Sequence, residues 1–197
     1  MNTARVMGLV LFPLTAGLAA LVWLSRARRR RDARFHAGLA RTIEMESDAF
    51  EDKDDMGLAF TCRGDGVSPP LRWNHLPHGT RSLALVVTDP DAPAPGLGLF
   101  TIVHWVLYNI PPGIDGLPTD ASPADLHELG LAVGRNWSGD RAYAPPCPPL
   151  GRHRYVFRLY ALDVDGIDPR EDDRRGILEA LEGHVLAYGT LTGTCSR

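Results

Sequence analysis

Leu83-Ala84-Leu85-Val86-Val87-Thr88-Asp89-Pro90-Asp91-Ala92-Pro93 is the stretch that decides how this chain is read. The apolar run has the make-up of a buried strand, and it ends on two carboxylates held between prolines. An Asp-Pro pair at a strand end ordinarily only breaks the strand and starts a turn. Here prolines fix φ on both sides of Asp91, which predicts a stiff, extended loop. In an extended segment residues i and i+2 point the same way, so Asp89 and Asp91 are expected to face one small volume. Two carboxylates held together resist double ionisation unless a cation, a histidine or a shared proton intervenes.

Outward from this stretch the chain is rich in strand and turn signals. Its 16 prolines and 20 glycines point to a loop-heavy fold rather than a helical bundle. Phe60-Thr61-Cys62 reads as a short strand entering a Gly64-Asp65-Gly66 turn, and Leu71 and Trp73 share one face of an extended segment. Strands are expected over 82–88, 101–109 and 154–162, the second from its β-branched and aromatic content. Ser122 to Leu129 supports one or two helical turns. After Pro169 the acidic residues Glu171, Asp172 and Asp173 suit a helix N-terminus. Ile177, Leu178, Leu181 and Val185 then keep helical spacing, with Gly189 as the stop and Leu191-Thr192 returning as a short strand. The fold class is therefore mainly β.

The N-terminus reads differently. Val6 to Leu24 contains no charged residue and is long enough for a membrane-spanning helix, with Trp23 at its interface. Arg26, Arg28, Arg29, Arg30, Arg31 and Arg34 follow it, the reverse of the order in a signal peptide. Residues 1–34 are thus expected to be a single-pass membrane anchor with a basic flank, and residues 35–56 an acidic tether ending in a first strand. Residues 57–197 form the soluble domain. The arginines place that domain in the cytoplasm by the positive-inside rule, a periplasmic arrangement being the alternative. From the overall charge of −3, the +6 of residues 1–34 leaves −9 on the rest, which argues against nucleic-acid binding.

Several side chains are candidates for chemistry. His104 interrupts an apolar strand, a position where a core histidine bonded to a neighbour is the common case. In His153-Arg154-Tyr155, alternation sends His153 and Tyr155 to one face and frees Arg154 to brace a carboxylate from the other. Tyr143 to Gly151 is a proline-dense loop whose shape is fixed before any ligand arrives, and the Cys147 backbone N–H can donate to an anion there. Cys62, Cys147 and Cys195 have no metal-ligand spacing, and no metal or other cofactor is expected. An odd count fits a reducing compartment; one disulfide with one free thiol is the other arrangement open to them. No P-loop, dinucleotide glycine pattern, HExxH or nucleophile elbow is present.

Thr88-Asp89-Pro90-Asp91-Ala92-Pro93 with His104-Trp105, and Pro148-Pro149 before Gly151-Arg152-His153-Arg154-Tyr155-Val156-Phe157, resemble the two signature regions of the phosphatidylethanolamine-binding protein family. Ser68-Pro69-Pro70-Leu71-x-Trp73 resembles its bacterial and archaeal branch. The likeness covers roughly residues 57–195. It implies a large antiparallel sheet, a smaller sheet, a C-terminal helix and a small anion pocket at one end. By motif Asp89, Asp91, His104, His153 and Tyr155 match the pocket residues, with Cys147 and Pro148 supplying the loop. The family commonly carries glycines after the tyrosine, where this chain has Ala144, Pro145 and Pro146; a proline has no N–H, so one expected backbone contact is absent.

The expected function is a membrane-tethered, non-catalytic protein holding phosphate or a phospholipid head group. The alternative, also implied by the resemblance, is a docking protein that inhibits a kinase or peptidase and accepts a phosphorylated or acidic side chain. No enzyme is expected: no motif positions a nucleophile, and Cys147, the sole candidate, has nothing beside it to activate its thiol.

Overall fold

The computed structural model describes residues 4–197, with the side chains of its first helix described at Ala20 and from Val22 onward. Two compact units divide at Gly38. The first is a helix, α1 (Ala4–Ala37). It runs unbroken from the apolar run through the arginine cluster, so one element carries both. Among the described residues no helix is long and apolar enough to cross a membrane. The expected single-pass anchor, and the localisation built on it, are corrected by that finding. Most of Val6 to Leu24 lies among the side chains outside the description.

The second unit is mainly β. Its strands are β1 (Arg41–Glu46), β2 (Leu71–Asn74), β3 (Ser82–Asp89), β4 (Ile102–Ile110), β5 (Gly116–Leu117), β6 (Ala132–Val133), β7 (Arg152–Leu162) and β8 (Val185–Ser196). They run side by side in the order β5-β2-β1-β8-β7-β3-β4-β6. All neighbours are antiparallel except β1 and β8. β1 divides its length: Glu44 to Glu46 pair with β2, while Arg41 and Ile43 pair with β8. The small group β5-β2-β1 and the large group from β8 to β6 thus share one strand. Residues 41–56, expected within a tether, belong to this body: β1 lies in the sheet, and Phe50 and Met56 are in the core. Their acidic side chains point outward, while Ile43, Phe50 and Met56 supply the buried surface.

β3 is buried along all eight residues, as its unbroken apolar run requires of a strand covered on both faces. Leu83, Leu85 and Val87 join Trp105, Leu107, Phe157, Leu159 and Leu191 in the core. In β2 only Leu71 and Trp73 are buried, the alternation expected of a strand with one wet face. Two helices belong to this unit: α2 (Pro123–Glu128), capped by the Ser122 side chain on Asp125 N–H, and α3 (Arg174–Leu181), capped by Asp173 on Gly176 N–H.

Three local expectations change. Residues 58–60 form a 3-10 turn rather than a strand, with Thr61 Oγ1 bonded back to Leu58 O. α3 begins at Arg174, not at Pro169, because Glu171 and Asp172 instead pair with Arg135. It stops before Gly183, which adopts φ 87°, so Val185 opens a strand of twelve residues.

Gly189 sits where β8 meets β1, and a Cβ there would lie 2.5 Å from Ile43 O. Gly189→Ala is expected to push β1 off its neighbour and cost about 2 kcal/mol, read as a lower urea midpoint of the full-length protein.

Candidate functional site

The C-terminal end of β3 and the N-terminal ends of β4 and β7 meet at one end of the large group of strands, and each delivers side chains there. Asp89 closes β3, and the chain bends at Pro90 and Asp91 rather than continuing extended. The bend is held by Asp91 N–H donating to Asp89 Oδ1 at 2.7 Å. The loop is bent rather than extended, and the two carboxylates take different partners. Asp89 meets His153 at 2.7 Å between Oδ2 and Nδ1. Asp91 meets Arg154, whose Nε and Nη2 donate to its two oxygens at 2.9 and 2.6 Å and whose backbone N–H adds a third bond at 3.0 Å. Consecutive residues of a strand face opposite sides, so β7 grips one carboxylate from each face.

Each carboxylate has its own basic partner on β7. The Arg154 guanidinium holds the Asp91 carboxyl below the usual aspartate range, against the opposing effect of burial. His153 is fully buried, and its Nε2 lies 3.0 Å from Leu150 O. Both ring nitrogens thus face oxygens that only accept, an arrangement satisfied when the ring carries both protons. Neither nitrogen of His153 is left for a ligand.

His104 reaches the site through an irregularity. Val87 pairs with Trp105 while Thr88 pairs with Val103, which leaves His104 as an extra residue opposite β3. A bulge of this kind re-aims a side chain that regular alternation would send to the other face. His104 and Trp105 consequently pack toward the same side: His104 edge-on to Tyr155, centroids 5.0 Å apart, and Trp105 edge-on to Tyr143 at 5.6 Å. Ala144 brackets His104, donating its N–H to His104 O at 2.8 Å and accepting from His104 Nδ1 at 2.7 Å. The partner of the ring is a backbone carbonyl, the bonded neighbour common for a core histidine. His104 Nε2 is buried and has no partner among the described residues. Burial pushes the His104 pKa down, only partly offset by the Ala144 carbonyl and the charge of Asp89. The Tyr155 phenol is pushed well above its ordinary range by burial and by Asp89, so its hydroxyl keeps its proton and can donate.

Cys147 and Pro148 lie in a neighbouring place. Cys147 is bonded to Cys62, which ties the proline loop to the segment after the 3-10 turn and decides the cysteine question in favour of one disulfide. Cys195 is the free, buried thiol. Cys62, Arg63, Cys147, Pro148, Cys195 and Arg197 line a cavity of about 360 Å³ from which Asp89 and His104 are absent. Cys147 Sγ, being in the disulfide, is no nucleophile.

Of the expected residues, Asp89, Asp91, His153 and Arg154 form one bonded network, and His104 and Tyr155 a ring pair beside it. Ala144 and Leu150 escape sequence reasoning because they act through backbone oxygens, which no side-chain motif reports.

A family model described as phosphatidylethanolamine-binding protein matches residues 46–196. A UPF0098 protein of Methanothermobacter thermautotrophicus is 42% identical over 156 residues, spanning 79% of this chain and 99% of the relative. The crystal structure of a phosphatidylethanolamine-binding protein homologue from Chlamydia trachomatis is similar at TM-score 0.70 and 34% identity, over 80% of this chain and 99% of that one. Escherichia coli YbcL, described as a member of the mammalian family, is similar at TM-score 0.70 and 28% identity, over 79% and 99%.

Because the folded Asp91 pKa lies below its unfolded value, the stability it contributes is present above about pH 3.9 and is lost as pH falls through the folded pKa. Asp91→Asn should therefore unfold at lower urea than the parent at pH 7, with the gap closing on the acid side of pH 4. A gap that stays constant from pH 7 to pH 3 would mean the ion pair does not stabilise the fold.

Proposed function

The chain belongs to the phosphatidylethanolamine-binding protein family, and from that membership we propose that it is a non-catalytic binding protein holding a small phosphate-type anion beside His104. The observation that carries this reading is His104 Nε2, a buried polar atom without a partner among the described residues, on a ring set edge-on against the donor-bearing ring of Tyr155. A buried polar group of that kind ordinarily has a partner, so a ligand atom is the natural one. Charge supports it as well. The body of the protein is strongly acidic, yet Asp89 is bonded to His153 and Asp91 is ion-paired with Arg154, so neither carboxylate is left bare beside an anion. The bracket from Ala144 and the disulfide at Cys147 fix the loop in advance, which lowers the entropic cost of binding.

A second reading, in which the anion is the phosphorylated side chain of a partner protein, is favoured by the exposed Leu97 and Leu150. Their two loops come together where Pro95 packs at Gly151. Such a partner predicts that a phosphoserine peptide with apolar flanks binds more tightly than free phosphate, and that Leu150→Ser removes the difference alone.

Calorimetric titration of the full-length protein with phosphate should give saturable binding. His104→Ala should weaken it at least tenfold, about 1.4 kcal/mol, while unfolding stays cooperative. Equal affinity in the two proteins would remove His104 from the pocket.

A further inference from the structure

The hydrogen bond made by His104 Nδ1 has a consequence for which anion can bind, and it rests on the anion-binding reading above. A backbone carbonyl only accepts, so at 2.7 Å from Ala144 O the Nδ1 atom must be the one that carries the proton. In the neutral ring Nε2 then bears a lone pair. The exposed fraction of His104 is 4%, and Nε2 has no partner among the described residues. A fully deprotonated anion oxygen brought against this atom would set lone pair against lone pair. A phosphate oxygen that carries a proton would instead donate to it. We propose that His104 makes the pocket selective for a phosphate or phosphomonoester bound in its protonated, monoanionic form, with P–OH donating to Nε2.

The groups packed around the ring keep it in this state. From β3, Asp89 favours a proton on His104; from β7, the His153 charge opposes one, and burial opposes it more strongly than either acts. The remaining titratable neighbours stay neutral at physiological pH. Burial raises the Tyr155 and Tyr143 phenols above their usual range, and burial with the nearby Asp55 raises the Cys195 thiol. Arg154 is spent on Asp91 and presents no free charge to the ring. The Tyr155 hydroxyl supplies a donor for an unprotonated oxygen of the same ligand, so the pair offers one acceptor and one donor to a single anion.

Three chemistries separate under this arrangement. A phosphomonoester changes between monoanion and dianion near pH 6, so its affinity should fall by about tenfold for each pH unit above that value. Sulfate and a phosphodiester carry their charge without a proton near neutrality. Both lack the P–OH, and the phosphodiester of a lipid head group shares that lack.

The test is calorimetric titration of the full-length protein with methyl phosphate, inorganic sulfate and dimethyl phosphate at pH 6, 7 and 8. The expected result is methyl phosphate binding that weakens about tenfold from pH 7 to pH 8, with sulfate and dimethyl phosphate at least tenfold weaker at pH 6. His104→Asn, whose amide can turn its N–H toward the ligand, should admit sulfate and narrow the ratio; thermal unfolding checks that this variant is folded. Should it fail to fold, the parent's own ratios and pH profile decide. Sulfate bound as tightly as methyl phosphate, or methyl phosphate affinity flat between pH 6 and 8, overturns the proposal and leaves anion binding intact. No heat from any of the three anions overturns the anion-binding reading itself, and this proposal with it.

Discussion

The double grip of β7 on the loop after β3 is the contact on which the candidate site depends. His153 takes Asp89 from one face and Arg154 takes Asp91 from the other. Both carboxylates are buried, and a buried charge without a partner costs several kcal/mol. The loop therefore has one arrangement in which both costs are offset, and the chain bends at Pro90 to reach it. With the loop fixed, the ends of β3 and β7 are held together, and the Tyr155 ring is set against His104. The site's geometry follows from charge compensation rather than from packing alone.

Much of this was legible in the sequence. The unbroken apolar run of β3 announced a strand covered on both faces, and alternation through His153, Arg154 and Tyr155 placed each on its observed side. The prolines on either side of Asp91 announced a rigid loop but not its direction, because a side chain bonding back to a backbone N–H bends the chain in a way φ limits do not encode. The bulge at His104 was illegible: the register it shifts is set by two strands at once, and one strand's residues do not reveal it. Helix α3 was foreseen in kind and misplaced in extent. Of the three acidic residues counted toward its N-terminus, Glu171 and Asp172 are drawn off by Arg135 and only Asp173 caps the helix, while Gly183 ends it early.

The segment 41–56 misled for a related reason. Its density of Asp and Glu is that of a solvated connector, and three apolar residues carry it into the core. Charge density speaks for the outward face of an edge segment and says nothing of its inward one. The N-terminal helix misled in the opposite sense. Its first residues are apolar as a sequence, yet the helix they open runs on through the arginines.

The family match begins at residue 46, the last residue of β1. That boundary invites shortening the protein to its recognised portion, and the shared strand argues against doing so. Without Arg41 to Met45, β8 loses its parallel neighbour and presents unpaired N–H and C=O groups to solvent. A bare edge on a long strand is a template for pairing with another molecule, which is how sheet proteins come to self-associate. The six residues of β1, nearly all of them outside the recognised portion, therefore serve as an edge guard for the large group of strands.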